Sequence, residues 1–213
     1  MSLRITEIFS SIQGETTYAG LPTTFVRLTG CPLRCTYCDT EYAFHGGSRQ
    51  TLEDVLAEVA GRGLNTVCVT GGEPLAQPAA IDLLRALCDA GYRVSLETSG
   101  ALDVARVDAR VAKIVDFKTP ASGEVGRNMW SNVAHLTEHD QVKFVICDRA
   151  DYDWARMRCD EWQLSDRAGE VLFSPSQGQL DPAELADWVV ADRAAVRLQL
   201  QLHKYIWGDE PGT

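Results

Sequence analysis

The chain has 213 residues, 45% apolar and 23% charged, and 30 Asp and Glu outnumber 20 Lys and Arg for a net charge of −10. That length suits one domain, residues 1–213, with a full core, and the composition excludes disorder, collagen and coiled coil. The acidic balance excludes general binding to nucleic acid or to an anionic membrane, because phosphates are repelled on average.

No run approaches the roughly 18–20 apolar residues of a membrane helix. The opening MSLRITEIFS has no apolar core of signal-peptide type. A cytoplasmic protein with reduced thiols is therefore expected. The seven cysteines then speak for a metal or cluster where they gather, and for small buried hydrophobes where Cys68, Cys88, Cys147 and Cys159 stand singly.

In chain order, strand-like runs cover 4–8, 23–28, 66–70, 93–98, 113–118, 141–147, 170–175 and 196–202. In the last, Val196, Leu198, Leu200 and Leu202 alternate strictly. Helices separate the strands. Thr51 and Asp54 mark the start of one, which stops at Gly61 or Gly63. A second runs over 79–90 with Gly91 as its stop, and a third begins at Asp181 with Pro182 in its first position. Weaker helical patterns cover 101–109, 127–137 and 151–163. Trp154, Trp162 and Trp188 fall on helices, as core or as contacts with a second copy.

Alternating strand and helix predicts a mostly parallel sheet with crossover helices. A full eightfold barrel needs about 250 residues, so the expected fold is α/β, an incomplete (β/α) barrel. The segments GCPLRC, TGGEP, ETSG, DFKTP, SPSQGQ and HKY each follow a strand. This places the active site at the C-terminal face of the strands.

The stretch LTGCPLRCTYCDTEYAF carries Cys31, Cys35 and Cys38 as C-x3-C-x2-C. Structural zinc takes four ligands, and His45 is the nearby residue that could complete a set, though HGGS reads as a loop. A 4Fe–4S cluster normally uses four thiolates. Three would leave one iron open to a small molecule, so that the missing ligand becomes the functional feature. Gly and Pro before the triplet suit a loop that wraps closely.

With Tyr37 before the third cysteine and TGGEP after the next strand, this pattern resembles the radical S-adenosylmethionine superfamily. That resemblance implies that S-adenosylmethionine binds the open iron and is cleaved to a 5′-deoxyadenosyl radical. It implies that Gly72 approaches the methionine group closely and that Glu73 accepts from its ammonium.

From Ile8 to Trp207 the chain further resembles the 7-carboxy-7-deazaguanine synthases, through FSSIQGE, TGGEPL, LETSG, DFKTP and QLHKYIW. The family converts 6-carboxy-5,6,7,8-tetrahydropterin to 7-carboxy-7-deazaguanine with loss of ammonia, in queuosine biosynthesis. The resemblance implies Mg2+ at Thr40, a hard oxygen that needs water and substrate to complete an octahedron. It implies S-adenosylmethionine contacts at Tyr37, Cys38, Asp39, Gly72, Glu73, Ser99, Asp116, Phe117, Lys118, Ser174, Pro175, Ser176 and Gln177.

For the substrate it implies Ile12, Gln13, Gly14, Glu15, Arg27, Thr70, Glu97 and His203, the last placed at the end of the final strand. Amide oxygens and a carboxylate suit a guanidine-like edge, and Arg27 suits a carboxylate. The resemblance assigns no protein acid or base. It implies a homodimer and an electron donor such as flavodoxin or ferredoxin. DFK departs from an S-P-K version and SPSQ from a Gln-Pro version, which puts those side-chain roles in doubt. A glycyl-radical activating enzyme is the alternative within the superfamily, and a zinc-held binding module is the alternative outside it.

Overall fold

The computed structural model describes residues 2–208, 210 and 212. Nine strands form one sheet in the order β3-β1-β2-β4-β5-β6-β7-β8-β9. These are β1 (Ser2–Ile12), β2 (Pro22–Leu28), β3 (Ser48–Thr51), β4 (Thr66–Gly71), β5 (Arg93–Thr98), β6 (Ala112–Asp116), β7 (Gln141–Ile146), β8 (Glu170–Pro175) and β9 (Arg197–Leu198). β1 runs antiparallel to β2 and β3. From β2 to β9 every neighbouring pair is parallel. The sheet is a partial barrel of mostly parallel strands, as expected from the alternation.

Side chains alternate between the two faces of a strand, and here the phases are chemically distinct. Val26, Leu28, Val67, Val69, Val94 and Leu96 belong to one apolar cluster with helices α1 (Leu52–Arg62) and α2 (Ala80–Asp89). Val115, Val142, Phe144, Val171 and Phe173 belong to a second, with α3 (Arg149–Trp162) and α5 (Pro182–Ala191). Trp154, Trp162 and Trp188 pack half-buried against this second cluster. The opposite phase carries Arg27, Thr70, Glu97, Asp116 and Lys143 into the barrel interior. A short helix, α4 (Leu164–Arg167), leads into β8.

The caps follow the sequence. Thr51 and Asp54 form a complete capping box, and Gly63 ends α1 in the left-handed conformation. Asp181 caps α5 through the Ala183 N–H, with Pro182 in the first turn.

Three expectations are corrected. Residues 101–109 form turns instead of a helix. Asp103 accepts from the Ala105 N–H and Asp108 from the Arg110 N–H, so both carboxylates compete with helical bonding. Residues 127–137 contain 3₁₀ turns, Val125–Arg127 and Trp130–His135. There Asn132 is fully buried, donating to the Gly100 and Leu102 carbonyls and accepting from the Val104 N–H.

The final strand is the third correction. Only Arg197 and Leu198 pair with β8, which ends at Pro175, a residue with no N–H to donate. The Gln199 N–H still reaches the Phe173 carbonyl and the Ser174 hydroxyl reaches the Gln199 carbonyl. The chain then leaves the sheet for α6 (Leu202–Trp207), so His203 sits in a helix. The polar edge strand β3 carried no apolar alternation and went unrecognised.

Candidate active site

The C-terminal strand ends surround a cavity of about 490 Å³. The loop after β1 crosses its mouth: the Thr16 N–H donates to Gln199, the Thr17 N–H to Gln141, and the Leu202 N–H to the Gly14 carbonyl. Gly14 is required there, since a Cβ would lie 2.0 Å from His203 Nδ1. This loop and the Gln199–His203 segment span the gap that β9 leaves open.

Cys31, Cys35 and Cys38 line one side of the cavity. The Thr36 N–H donates to the Ser122 carbonyl and its hydroxyl to the Ala121 carbonyl. Arg34 donates to the Cys31 and Leu33 carbonyls and lies over the Phe44 ring at 4.2 Å. Gly72, in the loop after β4, packs against the cysteine loop after β2, where a Cβ would meet the Gly30 carbonyl oxygen at 2.5 Å and Cys31 Cβ at 2.7 Å. The two-glycine motif is therefore a close-approach device for the cysteine loop.

All seven cysteines are free thiols. Burial pushes the Cys31 thiol up and the Cys35 thiol up to about 11, with Lys118 acting in the opposite direction. These groups stay protonated until an electropositive centre displaces the protons. Among the described residues no three His, Cys, Asp or Glu side chains converge to hold a single metal ion, and His45 is exposed. Three thiols spread along a cavity wall fit a multi-iron cluster better than zinc. A ligand beside them also finds an acceptor, for Asp116 Oδ1 is buried without a hydrogen-bond partner.

The same cavity holds a row of charges. Burial alone would raise the Glu15 carboxyl, but pairing with Lys143 holds it below the usual range. Gln201 donates to Glu15 at 2.7 Å and Gln199 at 3.4 Å. Burial works against the Lys143 charge too, and Glu15 and Asp116 outweigh it, keeping the ammonium. Lys143 lies 4.0 Å from Asp116, which pairs with Lys118 at 3.0 Å. Lys204 pairs with Asp39 at 2.8 Å. Glu97 accepts from the Thr70 hydroxyl at 3.0 Å and from the Gln13 amide at 3.3 Å. Thr40 Oγ1 lies 3.8 Å from Cys38 Sγ.

Residues 25–119 match the Radical SAM superfamily model. The chain is 46% identical to the 7-carboxy-7-deazaguanine synthase of Koribacter versatilis over 98% of both chains, and 44% identical to that of Chlorobaculum tepidum over 98% of this chain and 96% of the relative. The chain belongs to the 7-carboxy-7-deazaguanine synthase family. The crystal structure of QueE from Escherichia coli superposes with a TM-score of 0.78, at 25% identity and 95% coverage of each chain.

Set against the residues that family resemblance singled out, the cavity wall includes Ile12, Gln13, Gly14, Glu15, Arg27, Tyr37, Asp39, Thr40, Thr70, Gly72, Glu97, Ser99, Asp116, Lys118, Ser174, Pro175, Ser176, Gln177 and His203, besides the three cysteines. Two others face elsewhere. Phe117 is fully buried on the helix-facing phase, stacked on Trp130 at 4.4 Å. Glu73 is also fully buried, and its carboxylate accepts from the Leu75 N–H, the Thr98 hydroxyl and the Ser99 N–H and hydroxyl. Glu73 thus ties the loop after β4 to the loop after β5.

Lys143, Gln201 and Lys204 line the cavity and Gln199 backs it through Glu15 and Thr16; sequence reasoning singled out none of the four. A signal existed for each, and Lys204 belongs to the HKY segment already placed at the strand ends. Lys143 interrupts the apolar strand QVKFVI, and a lysine there needs a buried partner. Gln199 and Gln201 form the polar phase of the run whose leucines drew notice.

Proposed function

We propose that this chain is a 7-carboxy-7-deazaguanine synthase of queuosine biosynthesis, converting 6-carboxy-5,6,7,8-tetrahydropterin to 7-carboxy-7-deazaguanine with loss of ammonia. One observation carries the reading: a single cavity is lined by three free thiols together with buried acceptors and cations. A 4Fe–4S cluster on Cys31, Cys35 and Cys38, together with S-adenosylmethionine, supplies a 5′-deoxyadenosyl radical when bound.

The chain's own residues orient and enclose. Glu15, Gln13 and Glu97 accept from the guanidine-like edge of the pterin, with Thr70 fixing Glu97 and Lys143 keeping Glu15 ionised. Arg27 receives the substrate carboxylate. Thr40 would hold Mg2+ through one hard oxygen, which suits a metal that takes few protein ligands. Tyr37, Asp39, Gly72, Ser99, Asp116, Lys118 and Ser174–Gln177 form the S-adenosylmethionine side. Phe117 contributes backbone only, and Glu73 shapes the site without touching the ligand. His203 and the loop at Gly14 close the mouth and exclude water. Much of the catalytic effect is position.

The same reading includes a homodimer, a flavodoxin or ferredoxin as electron donor, one domain over residues 1–213 and a cytoplasmic setting that suits seven free thiols. The test is anaerobic reconstitution with iron and sulfide, then addition of S-adenosylmethionine, reductant and the carboxylated tetrahydropterin across a magnesium titration. Product of the mass of 7-carboxy-7-deazaguanine, rising with magnesium, is expected. Cofactor cleavage without that product would refute the substrate.

A further inference from the structure

The β1–β2 pairing holds a second layer behind the cavity. The register shifts between Ile5 and Glu7, so the buried phase passes from Leu3 and Ile5 to Ile8. Such an irregularity re-aims the side chains that follow. It turns Glu7 and Phe9 towards the interior face, with Glu7 directly opposite Arg27 and Phe9 opposite Phe25. Arg27 Nε donates to Glu7 Oε1 at 2.7 Å, and the Tyr42 hydroxyl donates to the same oxygen at 2.8 Å. The Phe9 and Tyr42 rings lie 5.6 and 5.8 Å from the guanidinium carbon. Phe9 stacks on Phe25 at 5.0 Å. Arg27 lines the cavity, whereas Glu7 and Tyr42 do not.

We infer that Glu7 and Tyr42 are positioning residues that fix Arg27 as the reader of the substrate's carboxylate, and so set the preference for a carboxylated pterin. The inference rests on the role of Arg27 proposed above. A guanidinium offers five N–H groups in a rigid fork. Glu7 takes the one on Nε. The two terminal nitrogens remain, and their edge matches a carboxylate in a bidentate pair. The aromatic rings restrain the plane of the fork. Tyr42 belongs to the turn Glu41–Phe44 that follows Thr40, so the clamp also joins Arg27 to the cysteine loop. Burial, with Glu7 adding to it and Arg27 opposing it, pushes the Tyr42 hydroxyl up to about 12, so it remains a donor at neutral pH.

Charge counting alone gives the opposite expectation, because removing the Glu7 carboxylate should strengthen an Arg27–carboxylate pair. The experiment compares two oxidised pterins, pterin and 6-carboxypterin, binding to reconstituted holoenzyme with S-adenosylmethionine in Mg2+-free buffer, so that a metal contact of the carboxylate does not mask Arg27. Calorimetry reads the ratio of their affinities. Glu7→Leu should shrink that ratio about tenfold, the equivalent of one oriented charged hydrogen bond, and leave pterin affinity unchanged. Glu7→Gln, which keeps an acceptor, should recover most of it. Tyr42→Phe, losing one hydroxyl from a half-exposed ring, should shrink it less. Arg27→Met should abolish it. If Arg27→Met abolishes the ratio while the Glu7 and Tyr42 variants keep or enlarge it, the positioning role is refuted and Arg27 stands. If Arg27→Met keeps it, the reading of Arg27 fails as well. Equal weakening of both pterins in Glu7→Leu would reduce the trio to a structural ion pair and overturn the inference.

Discussion

Lys143 and Glu15 show how one buried pair can serve both stability and recognition. Both side chains are nearly nine-tenths buried. The Glu15 carboxyl is held below its ordinary value, so its contribution to stability is present above that value. It is lost only as pH falls through the depressed one. Lys143→Met strands the carboxylate. The expected loss is about 3 kcal/mol in urea unfolding at pH 7, shrinking towards about pH 5 as the uncompensated Glu15 takes up a proton. The native protein should not show that acid-side recovery, and an equal loss at both pH values would contradict the pairing. Gly72→Ala tests a different contact. A Cβ 2.5 Å from the Gly30 oxygen must push the cysteine loop outward. Iron bound after reconstitution should fall well below the native value, while far-UV circular dichroism stays unchanged.

Between elements, Asp151 in α3 reaches the cysteine loop at one remove. Its carboxylate accepts from the Thr119 hydroxyl and the Ala121 and Cys147 N–H groups, and the 119–122 turn in turn holds Thr36. Asp151→Ala leaves the Ala121 and Cys147 N–H groups without their acceptor, while the Thr119 hydroxyl keeps the Val145 carbonyl at 2.9 Å. It should cost about 1–3 kcal/mol for each group that water cannot reach and should accelerate cluster loss on exposure to a chelator. Unchanged chelation kinetics would separate α3 from the site. α6 bears on the cysteine loop from the far end of the chain. Lys204→Met breaks the pair with Asp39, and a severalfold rise in KM with little change in unfolding midpoint is expected, since Asp39 is partly solvated and the pair is worth only about 1 kcal/mol.

Across the whole molecule, the parallel sheet was legible because β4 to β8 are short apolar runs bounded by turn residues, and the site followed from polar clusters after those runs. What escaped notice was tertiary. Asn132, Asp103 and Asp108 draw their backbone away from helix by bonding that no period reveals. The Val196–Leu202 alternation continued in sequence, but Pro175 ended the partner strand first. Phe117 and Glu73 sit inside motifs that the resemblance ties to a ligand, and neither lines the cavity: Phe117 stacks on Trp130, and Thr98 and Ser99 bond the Glu73 carboxylate. Identity within a motif fixes neighbourhood, and the sheet's alternation decides which side chains reach the cavity. On the proposed function, one cavity holds both the cluster and the pterin. The most direct measurement is simultaneous mass-spectrometric quantification of 5′-deoxyadenosine and deazaguanine product from the native protein, Cys35→Ala and Glu15→Gln. Both compounds are expected from the native protein and neither from Cys35→Ala, with product lost disproportionately in Glu15→Gln. Native-level product from Glu15→Gln, or any product from Cys35→Ala, would contradict the proposed function.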